Sequence, residues 1–253
     1  MIRSIVVHDI PADSVAAMER WYHRVHAPEI ARRYGPWLTR HESFVPVPPP
    51  PEAAGFGVFS WRVTDCWWRE LPATGPHGAL SFTPPPVWPQ VATCFIPAQP
   101  TEDFLGWDML PDEHVCFRWH VLLRYPDGVS AAEGERWFLE THAPQLCALP
   151  GLRRFFSSRV VDDDVRLPGV WRDGDTPPPE TVQHQWHRLS ELWFDTLTDW
   201  KAAVVDGSAA LTPPAWATRP GYPFVEPGRD FVSSFILERP SDEFLRDLRS
   251  YLP

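Results

Sequence analysis

Two histidines stand in the same short context. His26 and His142 each directly precede Ala-Pro, and each follows a near-identical run, Glu19-Arg20-Trp21-Tyr22 and Glu135-Arg136-Trp137-Phe138. An imidazole changes charge near neutral pH and is the commonest general acid–base in catalysis. Proline removes a backbone donor and clashes with the preceding turn, so the helices are expected to break or kink at Pro28 and Pro144, letting each histidine project away from the ordinary helix face. Tyr22 lies four residues before His26, on the same face, where the two rings can touch. A phenol beside an imidazole could hold a developing oxyanion while the base moves a proton. A second constellation lies on strands. His187 and Glu191 alternate onto one face, as do Arg118, His120 and Arg124. Glu191 among Trp193 and Leu189 is expected to have a raised pKa, suited to acid–base work. His26, His120 and Glu191 are therefore the candidate catalytic groups. Tyr22, Arg118, His8, His142, His187 and Trp61 are the candidate substrate-binding groups. The alternatives are that the paired histidines cap backbone groups at the helix breaks, and that the strand charges pair with one another.

The elements that position these residues come in two copies. Phe95-Ile96, Pro100 and Phe104-Leu105 recur as Phe235-Ile236, Pro240 and Phe244-Leu245. Thr83-Pro84-Pro85 recurs as Thr212-Pro213-Pro214, and Thr64-Asp65-Cys66-Trp67 resembles Thr198-Asp199-Trp200. Gly35 and Gly151 close both His-Ala-Pro segments at one offset. The echoes keep their order, which points to a duplication over the whole chain, with repeats at 1–110 and 111–253. The first copy reads as a strand at Ile2 to His8, a helix from about Asp13 to Arg33, and strands near Leu38 to Val47, Phe56 to Val63 and Val91 to Ile96. The second reads as a strand at Val115 to Tyr125, a helix from Ser130 to Leu149, and strands at Arg153 to Val161 and Gln185 to Asp195. A helix from Leu197 to Val205, a strand from Phe231 to Glu238 and a helix from Asp242 to Tyr251, capped by Ser241, complete it. Each copy is thus β-α-β-β-α-β, the ferredoxin-like plan, an α+β fold with helices on one sheet face. Two such sheets can pack face to face as a single-chain barrel, with a ligand between them. Aligning the copies sets Ser4, Val6 and His8 against His120, Leu122 and Arg124, and Gly57 against Glu191.

Composition narrows the function classes. A chain of 253 residues with 43% hydrophobic and 22% charged residues is globular. Its net charge of -10 argues against a nucleic-acid partner. The expectation is a cytoplasmic protein with neither membrane span nor signal peptide. Cys66, Cys94, Cys116 and Cys147 lack metal-site or disulfide spacing and read as reduced thiols. The 14 Trp can fill a core or line a cavity for a flat aromatic ligand. The loop from Asp162 to Thr181 is a candidate lid or a surface excursion. No dinucleotide glycine loop, phosphate loop or HExxH motif is present.

The run Trp137-Phe138-Leu139-Glu140-Thr141-His142-Ala143-Pro144, followed by Pro150-Gly151-Leu152 and by Glu191-Leu192-Trp193-Phe194-Asp195, resembles the EthD-like branch of the dimeric α+β barrel proteins. That resemblance implies a barrel, here closed within one chain that is a monomer or homodimer. It also implies a small-molecule ligand and relatives that include cofactor-free isomerases, cyclases, monooxygenases and haem enzymes. The expected function is a lyase, isomerase or cyclase without a cofactor, acting by His/Glu proton transfer on an aromatic or polyketide-like substrate. A haem enzyme and a non-catalytic carrier of a hydrophobic aromatic metabolite are the alternatives.

Overall fold

The computed structural model describes residues 1–71, 81–106, 117–161, 170–171, 182–183 and 186–249. The first half comprises strand β1 (Ile2–Asp9), helices α1 (Val15–Trp21) and α2 (Ala27–Tyr34), and strands β2 (Leu38–Phe44), β3 (Arg62–Trp68), β4 (Ser81–Phe82), β5 (Gln90–Pro97) and β6 (Glu102–Asp103). The second comprises β7 (Phe117–Leu123), α3 (Ala131–Trp137), α4 (Ala143–Cys147), β8 (Leu152–Arg159), β9 (Val170–Trp171), β10 (Val182–Gln183) and β11 (Arg188–Phe194). It ends with α5 (Leu197–Trp200), β12 (Phe231–Leu237), β13 (Asp242–Glu243) and α6 (Phe244–Arg249).

The principal strands lie in the orders β5-β1-β3-β2 and β12-β7-β11-β8, all antiparallel, which is the ferredoxin-like order of fourth, first, third and second strand in both halves. The sheet faces away from the helices meet each other. Ile5, Val7, Val63, Cys94 and Ile96 of one sheet share a buried cluster with Leu122, Leu189, Val232 and Ile236 of the other. Each half also sends a strand across: β6 pairs with β8, and β13 with β2. The seams close alike, Val47 N–H donating to the Phe235 carbonyl and Val161 N–H to the Phe95 carbonyl, both at 2.7 Å. The fold is therefore α+β, two ferredoxin-like units making one barrel in one chain. Where the chain passes β12, Gly57 adopts φ 54°, and a Cβ there would lie 2.3 Å from the Phe231 carbonyl oxygen. Only glycine permits that approach.

Several expectations need correction. The helices do not break at His-Ala-Pro. Tyr22–His26 and Phe138–His142 are π turns running straight into α2 and α4, with Ala27 N–H bonded to the Tyr22 carbonyl and Ala143 N–H to that of Phe138. The wider turn accommodates the missing proline donor. A third π turn, Lys201–Val205, contains no proline, so proline is one route to it rather than a requirement. The central strand expected at Phe56 to Val63 lies at Arg62–Trp68. Arg62 and Asp65, both within that strand, are buried, paired charges. Thr64 is therefore a strand residue and Thr198 a helical one, so that echo is fortuitous. Ser241 does not cap a helix at Asp242; its Oγ accepts the Val45 N–H at 3.0 Å, and the helix begins at Phe244. The proposed lid at Asp162 to Thr181 falls outside the described residues apart from β9, as do Cys116 and the expected boundary at 110–111.

The halves share a buried electrostatic brace. Arg62, fully buried, donates to Glu19 at 2.8 and 2.6 Å, to Ser43 at 2.5 Å and to Asp242 at 3.4 Å. Arg188, also fully buried, donates to Glu135 at 2.8 and 2.7 Å, to Ser157 at 2.9 Å and to Glu102 at 2.5 Å. Each guanidinium lies 4.3 Å from the ring centroid of Tyr22 or Phe138. Each brace joins a helix and a sheet of one half to the crossing strand of the other. Removing one partner of a buried ion pair leaves an uncompensated charge, at a cost of about 3–5 kcal/mol. Glu135→Ala leaves Arg188 with Glu102 as its remaining carboxylate among the described residues and is expected to destabilise the chain by about 3 kcal/mol in urea unfolding. The double change Arg188→Met, Glu135→Leu should recover most of the loss; no recovery would count against the unpaired charge as its source.

Candidate active site

Register sets what the helix-facing side of each sheet presents. In the first half Ser4, Val6 and His8 of β1 stand beside Cys66, Thr64 and Arg62 of β3, and beside Phe95, Thr93 and Val91 of β5. His41 and Ser43 of β2 lie opposite Cys66 and Thr64. In the second half the equivalent side carries Trp119, Val121, Leu123, Phe231 and Phe235, all buried. Trp200 fills that interface, with ring centroids 5.6 Å from Trp119 and 4.9 Å from Phe235. In the first half Val6, His8, Val91, Thr93 and Phe95 are only partly buried, and among the described residues no second helix covers them. The interface between α1–α2 and the first sheet is thus partly polar and less enclosed along β5.

Four expected site residues, His8, Tyr22, His26 and Trp61, meet at this interface, Tyr22 and Trp61 within a buried cluster. Tyr22, 1% exposed, shares a 2.8 Å hydrogen bond with Thr64 Oγ1. Burial pushes its phenol up to about 12, against the pull of the nearby Arg62 charge, so it is a proton donor at neutral pH. His26 stacks on Trp21 at 4.6 Å and lies 5.6 Å from the Tyr22 ring. Its Nδ1 is buried without a hydrogen-bond partner among the described residues, and desolvation lowers its pKa to about 4. His8 Nδ1 lies 3.3 Å from the Arg62 carbonyl oxygen, which can only accept, so the proton sits on Nδ1 and Nε2 carries the lone pair. Desolvation and neighbouring His26 bring His8 to about 3. Trp61 donates to Glu19 at 2.8 Å and meets the His8 ring edge-on at 5.5 Å. The interface thus holds neutral imidazoles and a protonated phenol among aromatic rings.

His41 and Thr64 lie on the same helix-facing side of the sheet and escaped the sequence reading. His41 is 2% exposed, with its pKa brought down to about 3 by desolvation and by His26. Its position is Phe155 in the second half, just as Tyr22 corresponds to Phe138. The alternation His41-x-Ser43 on the strand after the helix was the available signal, but its direction could not be read without β3 in register.

The other expected residues lie elsewhere. Arg118, His120 and Glu191 point between the sheets. Arg118 donates to Glu191 at 3.1 Å, His120 Nε2 is 3.4 Å from the same carboxylate, and Arg3 reaches it at 3.2 Å while binding Asp65 at 2.7 Å. Register equates Arg3 with Arg118 and Asp65 with Glu191, not Gly57 with Glu191, and shifts the first-strand alignment by one residue. A one-residue shift exchanges faces, so His8 faces the helices while His120 faces the barrel. The Glu191 carboxyl is not raised: burial favours its neutral form, but the Arg3, His120 and Arg118 partners outweigh that and hold it well below the usual carboxylate range. Arg124 pairs with Asp230 at 2.7 Å, outside the strand. His142 occupies the second-half counterpart of His26, stacked on Trp137 at 4.6 Å and 5.5 Å from Tyr222, closed in at 4% exposure. His187 Nδ1 accepts the Tyr125 N–H at 3.0 Å. The nine residues therefore do not share one cavity. Among the described residues no cluster of His, Cys, Asp and Glu is arranged for a metal ion, and no helix is long and apolar enough to cross a membrane.

Residues 1–83 match the sequence profile of the chalcone isomerase N-terminal domain. That third of the chain includes α1, α2, β1 to β3 and all the interface residues described so far, apart from those of β5. No curated protein matches the chain. Among solved structures, an anthrone oxidase-like protein matches with a TM-score of 0.47 at 10% identity, covering 96% of this chain and 94% of that one, a likeness too low to bear on function.

Four desolvated imidazoles give the fold a pH dependence. His8 and His26, with His41 and His142, bind protons more weakly folded than unfolded, with values of about 3 to 4 against the ordinary 6.5. As pH falls through 6.5 the unfolded chain takes up protons first, so their contribution to stability is complete above that pH and declines toward 3–4. The melting temperature is expected to drop between pH 6.5 and 5, before most carboxylates titrate, and His142→Phe should reduce the slope. A melting temperature constant over that interval would contradict buried neutral imidazoles.

Proposed function

We propose that the chain is an isomerase or cyclase that moves a proton on an aromatic substrate bound at the first-half interface. The observation that carries this reading is the pairing of neutral His26 with the protonated Tyr22 phenol, in a partly polar, aromatic interface that lies almost wholly in the segment similar to a chalcone isomerase domain. Kinship with EthD-like proteins, through the two His-Ala-Pro segments, is part of the same proposal, as are a cytoplasmic location and independence of a cofactor.

The chemistry is written for a hydroxylated diaryl enone. His26 takes the phenolic proton. The phenolate oxygen adds to the β-carbon of the enone, forming a C–O bond, and the double-bond electrons pass to the carbonyl oxygen as an enolate. Tyr22 O–H donates to that oxygen, and His26 returns its proton to the α-carbon. Atoms and electrons balance without any co-reactant. A base with a pKa of about 4 is already unprotonated at pH 7, although weak, so the reaction relies on Tyr22 stabilising the enolate in a site that excludes water. His8 Nε2 is the second lone pair at this interface. Arg118, His120 and Glu191 are assigned to holding the barrel together, because their charges already satisfy one another.

The test is conversion of 2′-hydroxychalcone to flavanone, followed by loss of the enone absorbance. His26→Ala is expected to lower kcat/KM by about 10²–10⁴. Tyr22→Phe should lower it by about 10². The acid limb of the wild-type profile should fall near pH 4, because activity needs unprotonated His26. Saturable binding without turnover would make the protein a carrier instead.

A further inference from the structure

The barrel contains one indole flanked by two guanidiniums in each half. In the first, Arg3 lies 4.8 Å and Arg40 5.2 Å from the ring centroid of Trp67. In the second, Arg118 lies 5.0 Å and Arg154 5.3 Å from that of Trp193. Register makes the two groups equivalent, since each tryptophan stands directly across from one arginine on either neighbouring strand. Their acids differ. Arg3 uses Nε and Nη2 on Asp65, at 3.3 and 2.7 Å, and Arg40 lies 3.6 Å from Glu42. Arg118 has Glu191 at 3.1 Å, a carboxylate also held by Arg3 at 3.2 Å and His120 at 3.4 Å. Phe156 stands opposite Glu191 as Glu42 stands opposite Asp65, and Arg154 packs 4.1 Å from the Phe156 ring centroid. Arg154 thus meets a phenyl face where its counterpart meets a carboxylate.

Two donors in the second group are left over. Arg118 Nε and Trp193 Nε1 are buried without a hydrogen-bond partner among the described residues, on side chains 8% and 6% exposed. A donor removed from water without an acceptor is costly. The neighbouring acids do not supply one. Asp103 accepts the Gly106 N–H at 2.9 Å, and Glu238 reaches Arg118 through its backbone carbonyl at 3.4 Å. Asp103, Glu191 and Glu238 attract the Arg154 guanidinium through space, but burial, with the Arg118 charge, outweighs them and brings Arg154 below the ordinary arginine value.

We propose that the Arg118–Trp193–Arg154 group binds one small monovalent anion, a halide or a carboxylate group, which accepts from Arg118 Nε and Trp193 Nε1 and supplies beside Arg154 the negative charge that Glu42 supplies beside Arg40. The anion is singly charged because the second half has one carboxylate fewer at these positions. It is small because none of the three side chains is more than 8% exposed. The pairing among Arg3, Asp65, Arg118 and Glu191 is left intact, so the ion completes the frame and takes no part in proton transfer. The site therefore stands or falls independently of the isomerase reading. An ion that binds the closed barrel and not the unfolded chain stabilises the fold by mass action.

Chloride is the probe, titrated in place of gluconate, an anion too bulky for the site, at constant ionic strength. The line width of the chloride NMR signal reports bound ion, and the melting temperature reports its effect on folding. Wild type is expected to broaden the signal saturably and to melt a few degrees higher once the site fills. Phe156→Glu restores the first-half arrangement within the chain and should abolish both effects. Trp193→Phe keeps a ring against both guanidiniums but removes the indole donor, and should weaken chloride binding severalfold. Circular dichroism reports that each variant is folded; should Phe156→Glu fail to fold, Trp193→Phe decides the matter. Formate and benzoate are then added as competitors. Displacement by formate alone marks an occupant of halide or formate size, and displacement by benzoate as well marks an aromatic acid. No saturable broadening in wild type, or the same broadening in wild type and both folded variants, overturns the site, the donors being met by water or the chloride being held elsewhere.

Discussion

A guanidinium removed from water must find carboxylates, and this chain buries two completely. Arg62 and Arg188 hold the molecule to its shape because their partners come from three places at once: the helix of the same half, the neighbouring strand, and the crossing strand of the other half. Neither half can satisfy its arginine fully alone. The brace therefore couples formation of each helix–sheet interface to closure of the barrel. It also sets the aromatic ring of Tyr22 or Phe138 against the guanidinium, which places the residue four before each His-Ala-Pro histidine.

Upon that common frame the halves diverge in how they fill one interface. The second packs Trp119, Trp200, Phe138 and Phe155 into it. The first puts Ser4, Tyr22, His41 and Thr64 in the corresponding space and leaves its edge partly open. Polar groups there lose stability that apolar groups would provide, unless a ligand or a hydrogen bond uses them. The Tyr22–Thr64 bond uses two; the buried nitrogens of His26 and His41 remain. A scaffold repeated twice thus has one half filled for packing and one that keeps polar groups in the same interface. The central charges, Arg3 and Asp65 against Arg118 and Glu191, are shared by both and belong to the frame.

Much of the fold was legible because repeats and periodicity are local. The Phe95/Phe235 and Thr83/Thr212 echoes mark equivalent positions: the Trp21 indole donates to the Thr83 carbonyl at 3.2 Å and the Trp137 indole to that of Thr212 at 3.3 Å. The pairing of Tyr22 with His26 followed from helical spacing, and Arg118, His120 and Glu191 did share an inward face. The third strand was placed early, ending at Val63, just before Asp65, a buried charge whose partner, Arg3, is distant in sequence.

By itself, then, the sequence determined two copies of one βαββαβ plan, the helix face shared by Tyr22 and His26, and an abundance of aromatic side chains. Tertiary structure alone decided which histidines meet. His8, His26 and His41 come from a strand, a helix and a second strand, and Phe244 reaches them from the far end of the chain. Those encounters depend on strand register, where a slip of one residue reverses every side chain, and on barrel closure, which brings together residues about 200 positions apart. Neither leaves a local trace that composition or spacing could reveal.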